Sequence, residues 1–379
     1  MLDDILSNEN VSKLIKEVVN NNRYNKKEDA NYLEFIDNEQ ALFILIDALY
    51  KYRMIINDKY LFNDFVVQLN LVFRKITNFD DITNGINKLI TKFTIIKLGY
   101  KEKEEEHRDE IIKYVYDKYI TDGYLFHSIN DVYIKDIIEN GFIPQKYNNL
   151  YDKFIKLQGM LKDDVISKDF TLKSISFTDS FEKAYFYASH SPLYFYGLLC
   201  DNDLIKKEED KKAYLFNDYE GCLKNINKII SRLELNDEKA KYLRNVFNEE
   251  WKLINKSNSG PTIMAIKRNL ILKEDINLDK IINDKNIKLV DAISMIIDSR
   301  HESINYEDKI DAKDILFIRL PSYKSFVIER KIVKEEVPKK EVKIESNNNY
   351  GKASILMIVG SILITLGVII TIIMTMIGG

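Results

Sequence analysis

The fold is decided first by the stretch GYLFHSINDVYIKDIIENG, residues 123–141. The aromatic and apolar side chains of Tyr124–Ile129 predict a short β-strand. Asn130 is a good N-cap for the helix that follows, and this helix is expected to stop at Asn140-Gly141, because glycine accepts the backbone conformation that ends helices. The order of strand, cap, helix and glycine indicates that this part of the chain mixes both kinds of secondary structure.

A second unit of the same kind follows in SISFTDSFEKAYFYAS, residues 174–189. Residues 174–178 predict a strand and residues 181–189 predict a helix. Asp179 with Glu182 three residues later forms a capping-box pattern, so we expect Asp179 to cap this helix. A strand again leads polar groups to the start of a helix.

The remaining pattern predicts an α+β fold. Residues 1–120 show only helical spacing and are expected to form an all-helical N-terminal region, while residues 121–333 form a mixed domain with a helical insertion at about 201–258. Further strands are predicted at 262–266, 287–290, 302–306 and 315–319, with a last edge strand at 326–328. Residues 334–352 alternate Lys and Glu before an Asn-rich run and predict a charged, flexible linker.

The apolar stretch at 353–377 contains no charged residue and ends two residues before the last residue. As a helix it would be roughly 37 Å long, which exceeds the ~30 Å hydrocarbon core of a bilayer. It predicts one C-terminal transmembrane helix, and the spacing of its Ser, Thr and Gly residues is compatible with weak self-association. Lysines precede it, including Lys339, Lys340 and Lys352, and the chain starts with acids instead of a signal peptide. We therefore expect a tail-anchored, single-pass membrane protein whose N-terminal body is cytoplasmic.

Charge and composition restrict the class of partner. Lys and Arg number 56 against 59 Asp and Glu, for a net charge of -3, so nucleic acid is not favoured as a partner. The two cysteines, Cys200 and Cys222, and the four histidines lack metal-ligand spacing, so no metal is expected and the cysteines suit a reducing cytoplasm. The partner that the sequence indicates is the lipid bilayer, through residues 353–377.

Three stretches of the mixed region resemble, in the same order, the ADP-ribosyltransferase family, whose members bind NAD on a split β-sheet. The first is the strand that carries His127 with its trailing helix and Gly141, and the second is residues 174–188. The third is HESINYEDKIDAKDI, residues 301–315, which is similar to the glutamate-led strand of the family and places Glu302 at the glutamate position. The resemblance covers about 123–319 and implies an ADP-ribosyltransferase-like split sheet with a helical insertion.

The resemblance also implies that NAD is the substrate and that three side chains carry out the reaction. His127 would hydrogen-bond the ribose, Tyr187 would stack on the nicotinamide ring, and Glu302 would stabilise the developing sugar cation. The cofactor site that the resemblance implies consists of His127, Ser128, Ser176, Thr178, Tyr185 and Tyr187, with Tyr185 as the alternative stacking residue.

The sequence departs from the family pattern at two positions. Ser176 stands where polymerase-type members have a tyrosine, and Arg300 stands two positions before Glu302, where members that modify arginine have an acid. The acceptor, macromolecular or small, therefore stays open. Three functions also stay open: a membrane-tethered ADP-ribosyltransferase or NAD-cleaving enzyme, a catalytically silent sensor that binds NAD or ADP-ribose, and a tail-anchored adaptor without enzymatic activity.

Overall fold

The computed structural model describes residues 2–21, 38–76, 78–100, 103–147, 149–162, 174–190, 218–256, 260–272, 276–298, 304–323 and 325. The chain divides into two compact units. Unit 1 consists of Met1–Tyr147, Lys173–Ser191 and Asn258–Arg330, and unit 2 consists of Asn148–Leu172, Pro192–Ser257 and Lys331–Gly379. The predicted linker, transmembrane helix and edge strand at 326–328 lie outside the described residues.

Unit 1 begins with helices, as the sequence predicts for residues 1–120. Side chains of Asn8, Asp58 and Asn78 cap three of them by accepting backbone N–H groups. The helices of unit 1 are α1 (Asp3–Leu6), α2 (Glu9–Asn20), α3 (Asn38–Ile55), α4 (Lys59–Lys75), α5 (Phe79–Leu98), α6 (Arg108–Tyr116), which continues as a π-helical turn to Thr121, α7 (Ile134–Asn140), α8 (Pro144–Tyr147), α10 (Phe181–His190), α13 (Leu278–Asn283) and α14 (Leu289–Ile297).

The strands of unit 1 form two antiparallel sheets, so the α+β class is confirmed. A three-stranded sheet has the order β1-β3-β5 and a two-stranded sheet pairs β2 with β4. The strands are β1 (Tyr124–Ile129), β2 (Ile175–Phe177), β3 (Thr262–Lys267), β4 (Ile304–Tyr306) and β5 (Ile315–Arg319). Five of the predicted strands are thus present at the expected positions, with ends that differ by at most two residues. The Asn130 cap is also present, and its side chain accepts the N–H of Val132.

The predicted strand at 287–290 is wrong, because helix α14 begins at Leu289. The buried residues of α14 include Leu289, Ala292, Ile293 and Ile296, which recur at intervals of three and four residues. That spacing fits the 3.6-residue period of a helix. Residues 287–290 include only the first two residues of this helix, which are too few to show its period.

One face of the three-stranded sheet packs on α10 and shares a hydrophobic core with the N-terminal helices. Phe126 of β1, Ile263 and Ala265 of β3 and Ile318 of β5 belong to the same hydrophobic core as α3 and α5. Helix α3 is buried on nearly every side, which its sequence ALFILIDALY explains, because a helix that is apolar all round has no face suited to water. The helices before residue 121 therefore share a core with the sheet. Unit 1 includes residues on both sides of the domain boundary that was expected between residues 120 and 121.

The opposite face of the sheet packs on β2 and α7. Leu125, Met264 and Phe177 are buried in this second core together with Ile137 and Phe142. Gly141 ends α7 with φ +76°, and a Cβ at this position would lie 2.7 Å from the carbonyl oxygen of Ile310. Glycine is required here for both reasons, and it directs Phe142 into the core beside β1.

Unit 2 is helical in its described part. It contains α9 (Asn149–Lys162), α11 (Tyr219–Arg232) and α12 (Asp237–Lys256), whose core includes Leu157, Ile226, Leu243 and Trp251. The insertion predicted at about 201–258 accounts for α11 and α12, whereas α9 belongs to the same unit although it comes before β2. Within the described ranges, no helix of either unit is long and apolar enough to cross a membrane.

Candidate functional site

Among the described residues, the two sheets of unit 1 meet at a single backbone bridge and then separate, and the opening between β1 and β2 beyond this bridge is called the split. Phe126 of β1 and Thr178, just after β2, exchange two hydrogen bonds of 2.7 and 2.9 Å. The next pair in this register would be Ser128 and Ser176, and no backbone hydrogen bond joins these two described residues. Because peptide groups alternate in direction along a strand, the N–H and C=O of Ser128 face the same side as those of Phe126, toward the split. A peptide donor and a peptide acceptor therefore face the opening between the sheets.

The side chain of His127 bridges this split. Its Nδ1 lies 3.0 Å from the carbonyl oxygen of Ser176, and because a carbonyl only accepts, Nδ1–H is the donor. The imidazole is partly buried, with ring centroids 5.9 Å from Phe177 and 6.2 Å from Phe142. In the neutral ring this assigns the proton to Nδ1 and leaves Nε2 as a hydrogen-bond acceptor.

The surroundings keep His127 neutral. Burial lowers the pKa of the imidazole to about 4, because the charged form loses hydration, and the hydrogen bond to the Ser176 carbonyl opposes this only in part. At neutral pH the residue can therefore accept a hydrogen bond from a hydroxyl group, and it is not a source of protons. This suits a residue that holds a sugar and does not suit a general acid.

We expect acid to destabilise the folded protein through His127. The pKa of about 4 lies below the ordinary 6.5, so between these values the unfolded chain binds a proton that the folded chain does not. Stability contributed by the neutral ring is fully present above about pH 6.5 and is lost as the pH falls toward 4, by up to ~3 kcal/mol. Urea unfolding from pH 7 to pH 4 should show this loss in the wild type and less of it in His127→Gln. An NMR titration midpoint near 6.5 for His127 would contradict the expectation.

Ser176 connects His127 to a residue that the sequence did not single out. In the antiparallel pair of β2 and β4, Ser176 lies opposite Asn305, and its hydroxyl donates to Asn305 Oδ1 at 2.8 Å. Both side chains are exposed. The only signal in the sequence was the position of Asn305 inside a predicted strand, and strand pairing is not readable from one sequence. The structure therefore joins His127, Ser176 and Asn305 in one hydrogen-bonded series.

Alternation along the strands separates the candidate residues into two faces. Ile175, Phe177 and the partly buried Ile304 and Tyr306 pack in or against the second core, so Ser176 and Asn305 lie on the other face of the small sheet. Leu125 and Ile129, two residues before and after His127, belong to that core, so the side chain of His127 lies on the face of the second core. The side chain of Ser128 lies on the opposite face, because side chains alternate along a strand. The split thus has an aromatic side around His127 and a polar side around Ser128, Ser176 and Asn305.

Thr178 and its neighbours have structural partners. Thr178 is buried, and its Oγ1 accepts the N–H of Ser180 at 3.1 Å in the turn before α10. Ser180, and not Asp179, caps this helix, because its Oγ accepts the N–H of Lys183 at 3.2 Å. Asp179 is instead paired with Arg268 at 3.2 Å, and their side chains are 5 % and 4 % exposed. The predicted Asp179 cap is therefore wrong, because a cation distant in the chain binds its carboxylate.

The two tyrosines proposed for stacking have different environments. Tyr185 is fully buried in the core, with its ring edge-on to Phe43 at 5.1 Å and its hydroxyl donating to the carbonyl oxygen of Pro321 at 2.5 Å. Its ring cannot reach a ligand without leaving this core. Tyr187 is partly exposed on α10, 5.7 Å from the ring of Phe186. Of the two, Tyr187 is the partly exposed one, and no ring contact joins it to His127 in the described structure.

Glu302 lies outside the described residues, two positions before the first residue of β4. Two cavities in the described part of unit 1 do not include His127, Ser176 or Asn305 in their linings. One is lined by residues of α2 and α4, and the other by side chains that include Asp47, Lys51 and Asp179. In the described ranges, no group of three or more His, Cys, Asp and Glu side chains is placed to hold a metal ion. Among the described residues, the polar groups at the split are His127, the peptide of Ser128, Ser176 and Asn305.

Comparison of the chain with models of protein families, with curated proteins and with solved structures finds no match.

Proposed function

We propose that this chain binds NAD at the split between β1 and β2 and cleaves the bond between nicotinamide and ribose. The observation that carries the proposal is the pair of Ser128 peptide groups facing the split beside His127. A primary carboxamide, such as that of nicotinamide, offers one acceptor and two donors, so it complements a peptide N–H and C=O. The resemblance of the three motifs to ADP-ribosyltransferases supports the same choice of ligand.

Three side chains would have separate roles in the cleavage of NAD. His127 Nε2 would accept a hydrogen bond from a ribose hydroxyl, Tyr187 would stack on the nicotinamide ring, and Glu302 would stabilise the cationic sugar in the transition state. The electron pair of the broken C–N bond leaves with nicotinamide, while an acceptor oxygen bonds to the ribose carbon and releases its proton.

Nicotinamide release tests this proposal. We expect the full-length chain in detergent to release nicotinamide from NAD and Glu302→Gln to lower the rate at least 100-fold, because the amide cannot balance the positive charge of the sugar. Glu307→Gln is the matched control, since Glu307 is exposed and directly follows β4. Equal release by Glu302→Gln and the wild type, with both folded, would contradict the proposed role of Glu302.

A second function, a catalytically silent NAD-binding sensor, is favoured by Asn305. Among the described residues, the side chain of β4 that contacts Ser176 is this neutral amide, which cannot stabilise a sugar cation as a carboxylate does. NAD binding without nicotinamide release by the wild type would select this function over the enzyme.

We also propose that residues 353–377 anchor the chain in a membrane with the body on the cytoplasmic side. The support is the uncharged length of this stretch and the lysines before it. Alkaline carbonate should leave the wild type in the membrane pellet and release a variant that lacks 353–379. Retention of the shortened chain in the pellet would contradict the anchor. Protection of the body from protease added outside sealed cells, or its digestion by protease added outside sealed organelles, would support its orientation.

A further inference from the structure

We infer that Asn305 is a ligand-contacting residue of the proposed site, with its amide nitrogen donating to the diphosphate of NAD; this inference rests on the proposed function. Ser176 Oγ–H donates to Asn305 Oδ1 at 2.8 Å, which uses the acceptor end of the amide. The Nδ2 end is a pure donor. No other hydrogen bond of Asn305 occurs in the described structure, and the side chain is exposed. Asn305 therefore presents an oriented pair of N–H donors at the surface.

Donor and acceptor matching assigns these hydrogens to a phosphate. The Ser128 peptide suits the carboxamide of NAD, and His127 Nε2 suits a ribose hydroxyl, which can donate. Among the remaining acceptors of NAD, which include the adenine nitrogens and the other ribose oxygens, the diphosphate oxygens carry the negative charge and only accept, so they form the strongest hydrogen bonds with N–H donors. Asn305 lies on the same side of the split as Ser128 and is linked to His127 through Ser176. A ligand that reaches the Ser128 peptide groups in the split would thus have the donors of Asn305 on its polar side.

The alternative is that Asn305 only joins the two strands. A cross-strand hydrogen bond of this kind contributes to pairing of β2 with β4 whether or not a ligand binds. Asn305→Asp separates the two roles, because the carboxylate still accepts the hydrogen bond from Ser176 but has no N–H to donate. It also places a negative charge where the inference places a phosphate.

The experiment compares binding of carba-NAD, which is not cleaved, to the full-length wild type, Asn305→Asp and Ser176→Ala by calorimetry in detergent. We expect Asn305→Asp to bind at least tenfold more weakly with an unchanged melting temperature, and Ser176→Ala to bind several-fold more weakly, because the amide loses its orientation. Carba-nicotinamide riboside, which has no phosphate, should bind Asn305→Asp and wild type equally.

Equal affinity of Asn305→Asp and wild type for carba-NAD would overturn the inference and leave the proposed function standing. An equal loss of affinity for the analogue without phosphate would also overturn it. If Asn305→Asp did not fold, unchanged binding by Ser176→Ala would overturn the inference instead. Failure of the wild type to bind carba-NAD would overturn the proposed function and this inference with it.

Discussion

A fragment of residues 121–333, without the N-terminal helices, is expected not to fold. The face of the sheet that carries Phe126, Ala265 and Ile318 shares a core with α3 and α5, and Tyr50 of α3 lies against Phe126 with 5.1 Å between ring centroids, so removing residues 1–120 exposes part of this core to water. Each large apolar side chain that loses its cover costs about 1.5–3 kcal/mol, so the exposure of several is comparable to the typical 5–15 kcal/mol stability of a domain. Expression of the fragment should yield insoluble protein or a soluble chain without a cooperative unfolding transition.

A point substitution tests the same interface without shortening the chain. Phe43 of α3 is 2 % exposed and contacts the rings of Tyr185 and Phe186 on α10, 5.1 and 5.3 Å away between centroids. Phe43→Ala should lower the free energy of unfolding by about 3–5 kcal/mol. The exposed Tyr60 on α4 is the matched control, and Tyr60→Ala should change stability by less than about 0.5 kcal/mol. A soluble 121–333 fragment with cooperative thermal unfolding would show that the N-terminal helices are a separate domain.

The buried ion pair of Asp179 and Arg268 is expected to give the second large effect. Asp179→Ala leaves the guanidinium of Arg268 buried without its carboxylate, and breaking such a pair costs about 3–5 kcal/mol. The double variant Asp179→Leu with Arg268→Met removes both charges and should be more stable than Asp179→Ala, because no uncompensated charge remains. Urea denaturation of the three proteins measures these differences.

The exposed pair of Arg74 with Glu17 is the control for this experiment. Its atoms lie 2.9 Å apart, but the side chains are 55 % and 47 % exposed. Solvent screens such a pair, so Glu17→Ala should cost at most about 1 kcal/mol. If Asp179→Ala were as mild as Glu17→Ala, the structural importance of the buried pair would be refuted.

Local features of the fold could be predicted because they depend on residues close in the chain. The strand at Tyr124–Ile129, the Asn130 cap and the glycine stop after α7 are all found. The cap of α10 shows the limit of this reasoning. Asp179 and Ser180 are both good caps, and the choice of Ser180 depends on Arg268, 89 residues from Asp179, which binds the carboxylate.

The candidate site could be predicted in its residue types but not in its geometry. His127 and Ser176 were identified from the sequence, and the structure brings them into contact although 49 residues separate them. The choice between Tyr185 and Tyr187 could not be made from helical spacing, because it depends on the core beside Phe43 and on the carbonyl of Pro321. Asn305 was missed because its partner Ser176 is 129 residues away and pairing register is a property of two strands.

By itself, then, the sequence determined the α+β class, most of the strands, the Asn130 cap, and the uncharged C-terminal stretch that predicts an anchor. These follow from side-chain periodicity, capping groups and apolar length, which act within a few turns of chain. Only the tertiary structure decided that the N-terminal helices share a core with the sheet, that Asp179 pairs with Arg268, and that His127, Ser176 and Asn305 meet at the split. Those outcomes depend on which distant segments pack together, and packing is settled by the whole buried core and not by any local pattern.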